Sequence, residues 1–148
     1  MFDSTERKAN FAAETKHAVM NTITSKNGLI SVTVSVFVYK DRDYPDGDMF
    51  VVYCPSLNLC GYDDTCEKAI KEFVYILKEY IREQGENGTL SEDLKRHGWV
   101  KSEEFLSEPP FSTLIMADDS LRDIMDNCYP SKVSINASCF LSILPPGQ

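Results

Sequence analysis

A long alternating segment behind an Asn-Gly dipeptide constrains this fold more than any other feature of the chain. From Ile30 to Val38 every even position carries a β-branched aliphatic residue, and the odd positions carry serine, threonine or an aromatic residue. A period of two residues predicts a strand with one buried face. The preceding Asn27-Gly28 suits the positive φ angles of a tight hairpin turn. Residues 17–26, whose alternation is weaker, are therefore the candidates for a strand that pairs back.

The strongest helical pattern in the chain starts beside Asp64. Between Ala69 and Ile81 apolar side chains recur at steps of three and four residues, which predicts a helix over residues 65–84 with one apolar stripe facing a sheet. Asp64 and Glu67 have the spacing of a capping box, and Gly85 is expected to end the helix. The predicted core contains five side chains: Val32, Val34, Val36, Phe73 and Leu77.

Shorter patterns complete the predicted architecture. Residues 49–54 and 59–62 predict two short strands separated by a turn that begins at Pro55. Residues 119–127 predict a short helix, and the alternation from Val133 to Ile143 predicts a last strand. Together these patterns predict an α+β fold, in which a mainly antiparallel sheet of three or more strands is packed by one long helix and followed by an additional C-terminal helix and strand.

Length favours a single domain with three segments. A chain of 148 residues fits one compact core. Residues 1–16 are expected to form a tail or a short helix, residues 17–100 the α+β domain, and residues 101–148 a C-terminal extension packed on the same domain. Within that extension Lys101 to Phe111 is rich in Ser, Glu and Pro, which predicts a linker or an irregular crossing loop.

The charge of the chain argues against two classes of partner. It has 15 Lys and Arg against 23 Asp and Glu, a formal net charge of -8 at pH 7. This sign opposes contact with phosphates, so no direct nucleic-acid binding is expected. No apolar stretch reaches the roughly 20 residues that span a bilayer, and the polar start does not resemble an export signal. We therefore expect no membrane partner and a soluble, cytoplasmic protein.

No pattern in the sequence predicts a metal ion, a cofactor or a catalytic nucleophile. The five cysteines include no Cys-x-x-Cys pair. The acidic run Asp41 to Asp48 lacks the calcium-loop register, because Asp46 and Val52 stand where Gly and Glu are needed. His17 and His97 have no Gly-x-Ser-x-Gly elbow to serve. We therefore expect neither a cofactor nor enzymatic activity.

The segment from Val51 to Ala69 resembles the signature of HicB-like antitoxins. In that family a strand ends in a Pro-Asp-Leu-Pro-Gly-Cys-type turn, a second short strand leads to Gly-Asp-Thr, and a helix opens with acidic residues and alanine. The matching positions are Pro55, Leu57, Asp64, Thr65, Glu67 and Ala69. The departures are Ser56, Asn58, Leu59 and Asp63. The resemblance extends over about residues 29–84.

The resemblance implies a fold and a partner. The fold is a partial ribonuclease-H-like domain with three antiparallel strands backed by a helix. The partner is a small basic HicA-type ribonuclease toxin, which the antitoxin binds and neutralises. An acidic chain is electrostatically complementary to such a partner. The family also tends to associate through this domain, and long uncharged strands need a covered edge, so a homodimer or a higher homo-oligomer is expected.

Many members of the family carry a C-terminal DNA-binding motif, which this chain does not show. Beyond Glu108 its cations are Arg122 and Lys132, too few to neutralise several phosphates. We therefore expect toxin-type binding without autonomous DNA binding.

The expected partner contacts are acidic side chains. Asp63 and Glu67 stand beside the signature turn, where we expect them to touch the partner. Further side chains are expected to steer its approach: Asp41, Asp43, Asp46 and Asp48.

Two alternative functions remain. A metal-dependent ribonuclease-H-like hydrolase would draw its ligands from Asp41, Asp43, Asp63, Asp64 and Glu67. None of these is predicted at an inward position inside a strand, where two-metal geometry requires its ligands. The other alternative is an orphan interaction domain with an unknown partner.

Overall fold

The computed structural model describes residues 22–26, 28–102 and 105–140 of the chain. They contain seven strands and four helices, which confirms the α+β class and gives a sheet larger than the predicted minimum of three strands. The strands are β1 (Thr22–Lys26), β2 (Leu29–Lys40), β3 (Phe50–Cys54), β4 (Leu59–Asp63), β5 (Val100–Lys101), β6 (Phe105–Ser107) and β7 (Ser131–Phe140). The helices are α1 (Cys66–Glu86), α2 (Leu90–Arg96), α3 (Phe111–Ala117) and α4 (Asp119–Asn127). Predictions for residues 1–21, and for the last strand beyond Phe140, lie outside the described residues.

β2 is the central strand of the sheet. Along one edge it pairs antiparallel with β7 from Leu29 to Val38. Its other edge is shared, because β1 pairs with its first four residues and β3 with its last four. β4 pairs with β3, β6 with β1 and β5 with β6, all antiparallel. At the predicted hairpin Lys26 pairs with Leu29, and Gly28 has a φ of 83°. Asn27 itself lies outside the described residues.

α1 covers one face of the sheet, as its apolar stripe predicts. Phe73 and Leu77 are fully buried in one cluster with the even-numbered side chains of β2. All five side chains predicted for the core are buried. Gly61 of β4 permits this contact, since an added Cβ would lie 2.7 Å from the backbone nitrogen of Phe73. The helix therefore packs directly on the backbone of β4.

α3 and α4 cover part of the opposite face. Phe37, an odd-numbered residue of β2, contacts Phe111 with ring centroids 5.7 Å apart. The Asp118 carboxylate caps α4 by accepting the N–H of the buried Leu121 at 3.0 Å. The same carboxylate accepts the hydroxyl of Tyr53, which joins the helix to β3. The bounds of α4 are those that the sequence predicts.

A polar contact closes the shared edge of β2. No described strand pairs with residues 33–36 on that edge, between β1 and β3. There Glu108 accepts the N–H of Ser35 at 3.2 Å and the hydroxyl of Ser56 in the β3–β4 turn. Ser56 is fully buried, and its carbonyl accepts the indole N–H of Trp99 at 3.0 Å. The Glu108 side chain thus accepts a backbone hydrogen bond of β2 that a neighbouring strand would otherwise accept.

The predicted start of the long helix is wrong by one residue. The N-cap is Thr65, which has an extended backbone and whose hydroxyl accepts the N–H of Lys68 at 3.1 Å. Asp64 and Glu67 therefore do not form a capping box, because the third helical position is occupied by Lys68. The threonine hydroxyl reaches the first-turn N–H groups from this backbone position.

Two further boundary predictions are wrong. α1 continues through Gly85 to Glu86, and Gly88, with a φ of 73°, supplies the left-handed residue beyond the helix. The predicted linker contains the last residue of β5 and all of β6 before α3 begins at Phe111. Its backbone becomes strand because β6 hydrogen-bonds to the edge of β1. That partner is about 80 residues away and leaves no local signal.

Candidate partner-binding surface

The acidic residues selected from the sequence lie at one end of the sheet. The loop of residues 41–48 joins β2 to β3, and Asp63 ends β4 beside it, because Lys40 pairs with Phe50 and Phe50 with Asp63. The first turn of α1 starts from the same end. We name this region the acidic end. Its carboxylates are Asp41, Asp43, Asp46, Asp48, Asp63, Asp64, Glu67 and Asp123.

The loop holds its carboxylates at the surface. The Asp41 side chain accepts the N–H of Asp43 at 3.0 Å, which orders the start of the loop. The carboxylates after Asp41 are all exposed. Asp48 forms an exposed ion pair with Lys40 at 2.9 Å. Exposed pairs contribute little to stability, so these charges are accessible to an incoming partner at little cost to the fold.

Asp63 and Glu67 lie at this end in different surroundings. The Asp63 side chain is partly buried and accepts the N–H of Asp64 at 2.7 Å. Glu67 is exposed and lies 4.0 Å from the Lys71 amine, and Asp64 lies 3.4 Å from the Lys68 amine. The lysines of α1 offset the charge of its first turn. Among the described residues of this end, the loop carboxylates Asp43 and Asp46 lie outside these ion pairs.

α4 adds a carboxylate that sequence reasoning missed. Burial raises the pKa of the Cys128 thiol, and the negative charges of Asp123 and Asp41 raise it further. Burial also raises the pKa of Tyr39 to about 12, and Asp41 and Asp123 again add to the rise. The loop and the end of α4 thus share one electrostatic environment. The sequence carries no signal for this, because about 80 residues separate the two segments.

Tyr129 follows α4 at the acidic end and was also missed. The residue is 74% exposed, and its φ of 49° lies in the left-handed region, where glycine is usual after a helix. The guanidinium carbon of Arg42 lies 5.4 Å from its ring centroid, within cation–π range. Tyr44 and Tyr62 are exposed nearby on the loop and on β4. The available signal in the sequence was the position of Tyr129, a bulky residue two positions after the predicted end of the helix, where glycine is usual.

The acidic end presents charges and aromatic rings, which suits binding. Within the described ranges no three His, Cys, Asp or Glu side chains lie close enough together to hold a metal ion. Burial raises the pKa of the Cys54 thiol to about 12, so it stays protonated and a poor nucleophile near neutral pH. None of the helices in the described part of the chain is long and apolar enough to cross a bilayer.

The chain was compared with families, proteins and structures already known. No family model, no curated protein and no solved structure matches it. The resemblance to HicB-like antitoxins therefore rests on the signature residues alone and stays a prediction.

Proposed function

We propose that this protein is a non-catalytic binding module of the HicB-like antitoxin type, which recognises and neutralises a small basic ribonuclease toxin. The observation that carries the proposal is the acidic end. Loop, strand end and two helices bring eight carboxylates together, whereas the cations at the same end include Lys40, Arg42, Lys68, Lys71 and Lys132, which lies opposite Phe37 near the start of β7. A surface with this excess of one sign attracts a partner of the opposite sign and raises its association rate.

The arrangement of the elements behind this surface supports the same proposal. β2, β3 and β4 form an antiparallel unit with α1 on one face. This unit is compatible with the three strands and helix that the resemblance implies. The rigid sheet also holds the loop ends at fixed positions, since the Asp41 N–H donates to the Met49 carbonyl at 2.7 Å. A pre-organised surface loses less entropy when a partner docks.

Co-expression tests the proposal. The chain is produced together with any small basic protein encoded beside it, and growth rescue and co-purification are measured. We expect the chain to rescue growth and to co-purify in a stable complex. Failure of both would refute the antitoxin function. Metal-dependent RNA cleavage that Asp63→Asn abolishes would instead support the hydrolase.

A matched pair of variants then tests the surface. One variant carries Asp43→Asn, Asp46→Asn and Asp48→Asn, and the control carries Glu72→Gln, Glu83→Gln and Glu92→Gln, so that both lose three exposed charges. If the loop steers the partner, the loop variant associates more slowly, with a weaker salt dependence and a nearly unchanged dissociation rate. Equal effects in the two variants would show that net charge alone matters.

A further inference from the structure

Tyr129 has two properties that are hard to explain by folding alone. Its backbone occupies the left-handed region at φ 49°, where a bulky side chain is unfavourable and glycine would be better. The residue as a whole is 74% exposed, so its burial adds little stability to offset the unfavourable backbone conformation. The ring therefore stands at the acidic end as an accessible aromatic surface.

The surroundings of the ring select one kind of ligand group. Arg42 already places its guanidinium carbon 5.4 Å from the ring centroid. Asp41 and Asp43 flank Arg42 in the chain, and Asp123 lies six residues before Tyr129, so the two segments that meet at the ring carry three carboxylates. Burial raises the pKa of the adjacent Cys128 thiol, and the charges of these three carboxylates raise it further. An exposed aromatic ring on which an arginine already lies, with carboxylates in both neighbouring segments, is complementary to a planar cation.

We infer that Tyr129 is the anchor for an arginine side chain of the basic partner, which replaces Arg42 on the ring while the surrounding carboxylates accept its N–H groups. This inference rests on the proposed function and names the chemistry of the contact. Arginine fits better than lysine because its guanidinium is flat, weakly hydrated and able to bind carboxylates through two N–H groups at once. Arg42 then acts as an internal occupant that the partner must displace.

Two peptide probes of equal charge separate this contact from general attraction. Labelled nona-arginine and nona-lysine are titrated with the full-length protein, and binding is followed by fluorescence anisotropy at about 50 mM salt. The variants are Tyr129→Gly, Tyr129→Phe, Arg42→Gln and the loop variant described above. The control is Tyr75→Ala, which removes a tyrosine of similar exposure (61%) from α1.

The wild-type protein should bind nona-arginine about two- to fivefold more tightly than nona-lysine, the size of an exposed cation–π contact. Tyr129→Gly should remove this preference, and Tyr129→Phe should keep most of it because the ring remains. Arg42→Gln should strengthen binding of both peptides. Tyr75→Ala should change nothing.

Unfolding does not account for a loss in Tyr129→Gly, since glycine relieves the left-handed backbone and should raise the melting temperature. Equal binding of the two peptides to the wild type, or a preference that survives Tyr129→Gly, would refute the anchor. If only the loop variant loses binding, the anchor is wrong while the acidic surface stands. If no variant changes the binding of either peptide, both proposals fail.

Discussion

Gly61 lies where β4 touches the backbone of the main helix. A Cβ added there would lie 2.7 Å from the nitrogen and 2.9 Å from the Cα of Phe73. Both are backbone atoms of α1, so no side chain can rotate out of the way. The main helix would have to move off β4, and the buried contacts of Phe73 would loosen.

Replacing Gly61 by Ala should therefore lower the free energy of unfolding by about 1–3 kcal/mol, the usual cost of overpacking. The buried Trp99 supplies the fluorescence signal for urea denaturation. Cys60→Ala, an exposed neighbour on the same strand, is the control and should have little effect. Equal midpoints for wild type and Gly61→Ala would contradict the packing described for α1.

Cys128 reports the electrostatic field of the acidic end. Burial raises the pKa of its thiol, the charges of Asp123, Asp41 and Asp43 raise it further, and Arg42 lowers it. Because the thiolate is the reactive form, Asp123→Asn should lower this pKa and shift the pH profile of alkylation towards lower pH. Arg42→Gln should shift the profile towards higher pH. Alkylation with iodoacetamide, followed for the Cys128 peptide by mass spectrometry, measures both shifts. Shifts in the same direction would contradict the assignment.

At the scale of elements, the Glu108 contact joins parts of the chain that no strand connects. It ties the middle of β2 to the β3–β4 turn, and Trp99 extends the contact to the segment after α2. The contact is partly buried. In the folded state the Glu108 carboxylate therefore accepts hydrogen bonds from these donors, whereas in the unfolded state the carboxylate and the donors bind water.

Glu108→Ala removes the acceptor shared by Ser35 and Ser56 and should destabilise the fold by about 1–3 kcal/mol. Glu108→Gln keeps one acceptor oxygen and should cost less. Hydrogen exchange at the Ser35 amide should accelerate in the alanine variant, and Glu83→Ala on the exposed side of α1 serves as the control. Unchanged exchange at Ser35 would mean that the contact does not protect the edge of β2.

At the scale of the whole molecule, net charge governs which partners are attracted. A chain with a formal charge of -8 repels phosphates, and its cations are spread thinly beyond Glu108. The isolated protein should therefore not retard its own promoter fragment at about 150 mM salt. Retardation by the isolated protein would contradict this expectation. A complex with a basic partner is a separate case, because the partner supplies the positive surface.

Self-association is the second expectation at this scale. Among the strands of the described residues β7 pairs with β2 alone, and its ten residues include one charge, Lys132. A long edge with so little protection favours pairing with a second copy. Light scattering at tens of micromolar should give at least twice 16.7 kDa, and Ser138→Lys should reduce it. A mass of 16.7 kDa for the wild type would refute the oligomer.

The sequence by itself determined the elements whose pattern is local. The alternation of β2 and the stripe of α1 predict which side chains are buried, because strand and helix periods place those residues on one face wherever the element lies. The bounds of α4 follow in the same way from its apolar positions. The exposure of the charged residues 41–48 could also be predicted, because a polar segment with Pro and Gly between two strands forms a surface loop.

Only the tertiary structure decided the contacts between distant segments. The N-cap moves from Asp64 to Thr65 because the backbone between β4 and α1 sets which side chain reaches the first turn. Glu108 and Ser35, which are in contact, are 73 residues apart in the chain, and the contact of Tyr129 with Arg42 of the loop likewise joins distant segments. Such contacts form when complete helices and strands pack together. The packing energy of an element depends on residues far away in the chain, which no local sequence pattern identifies.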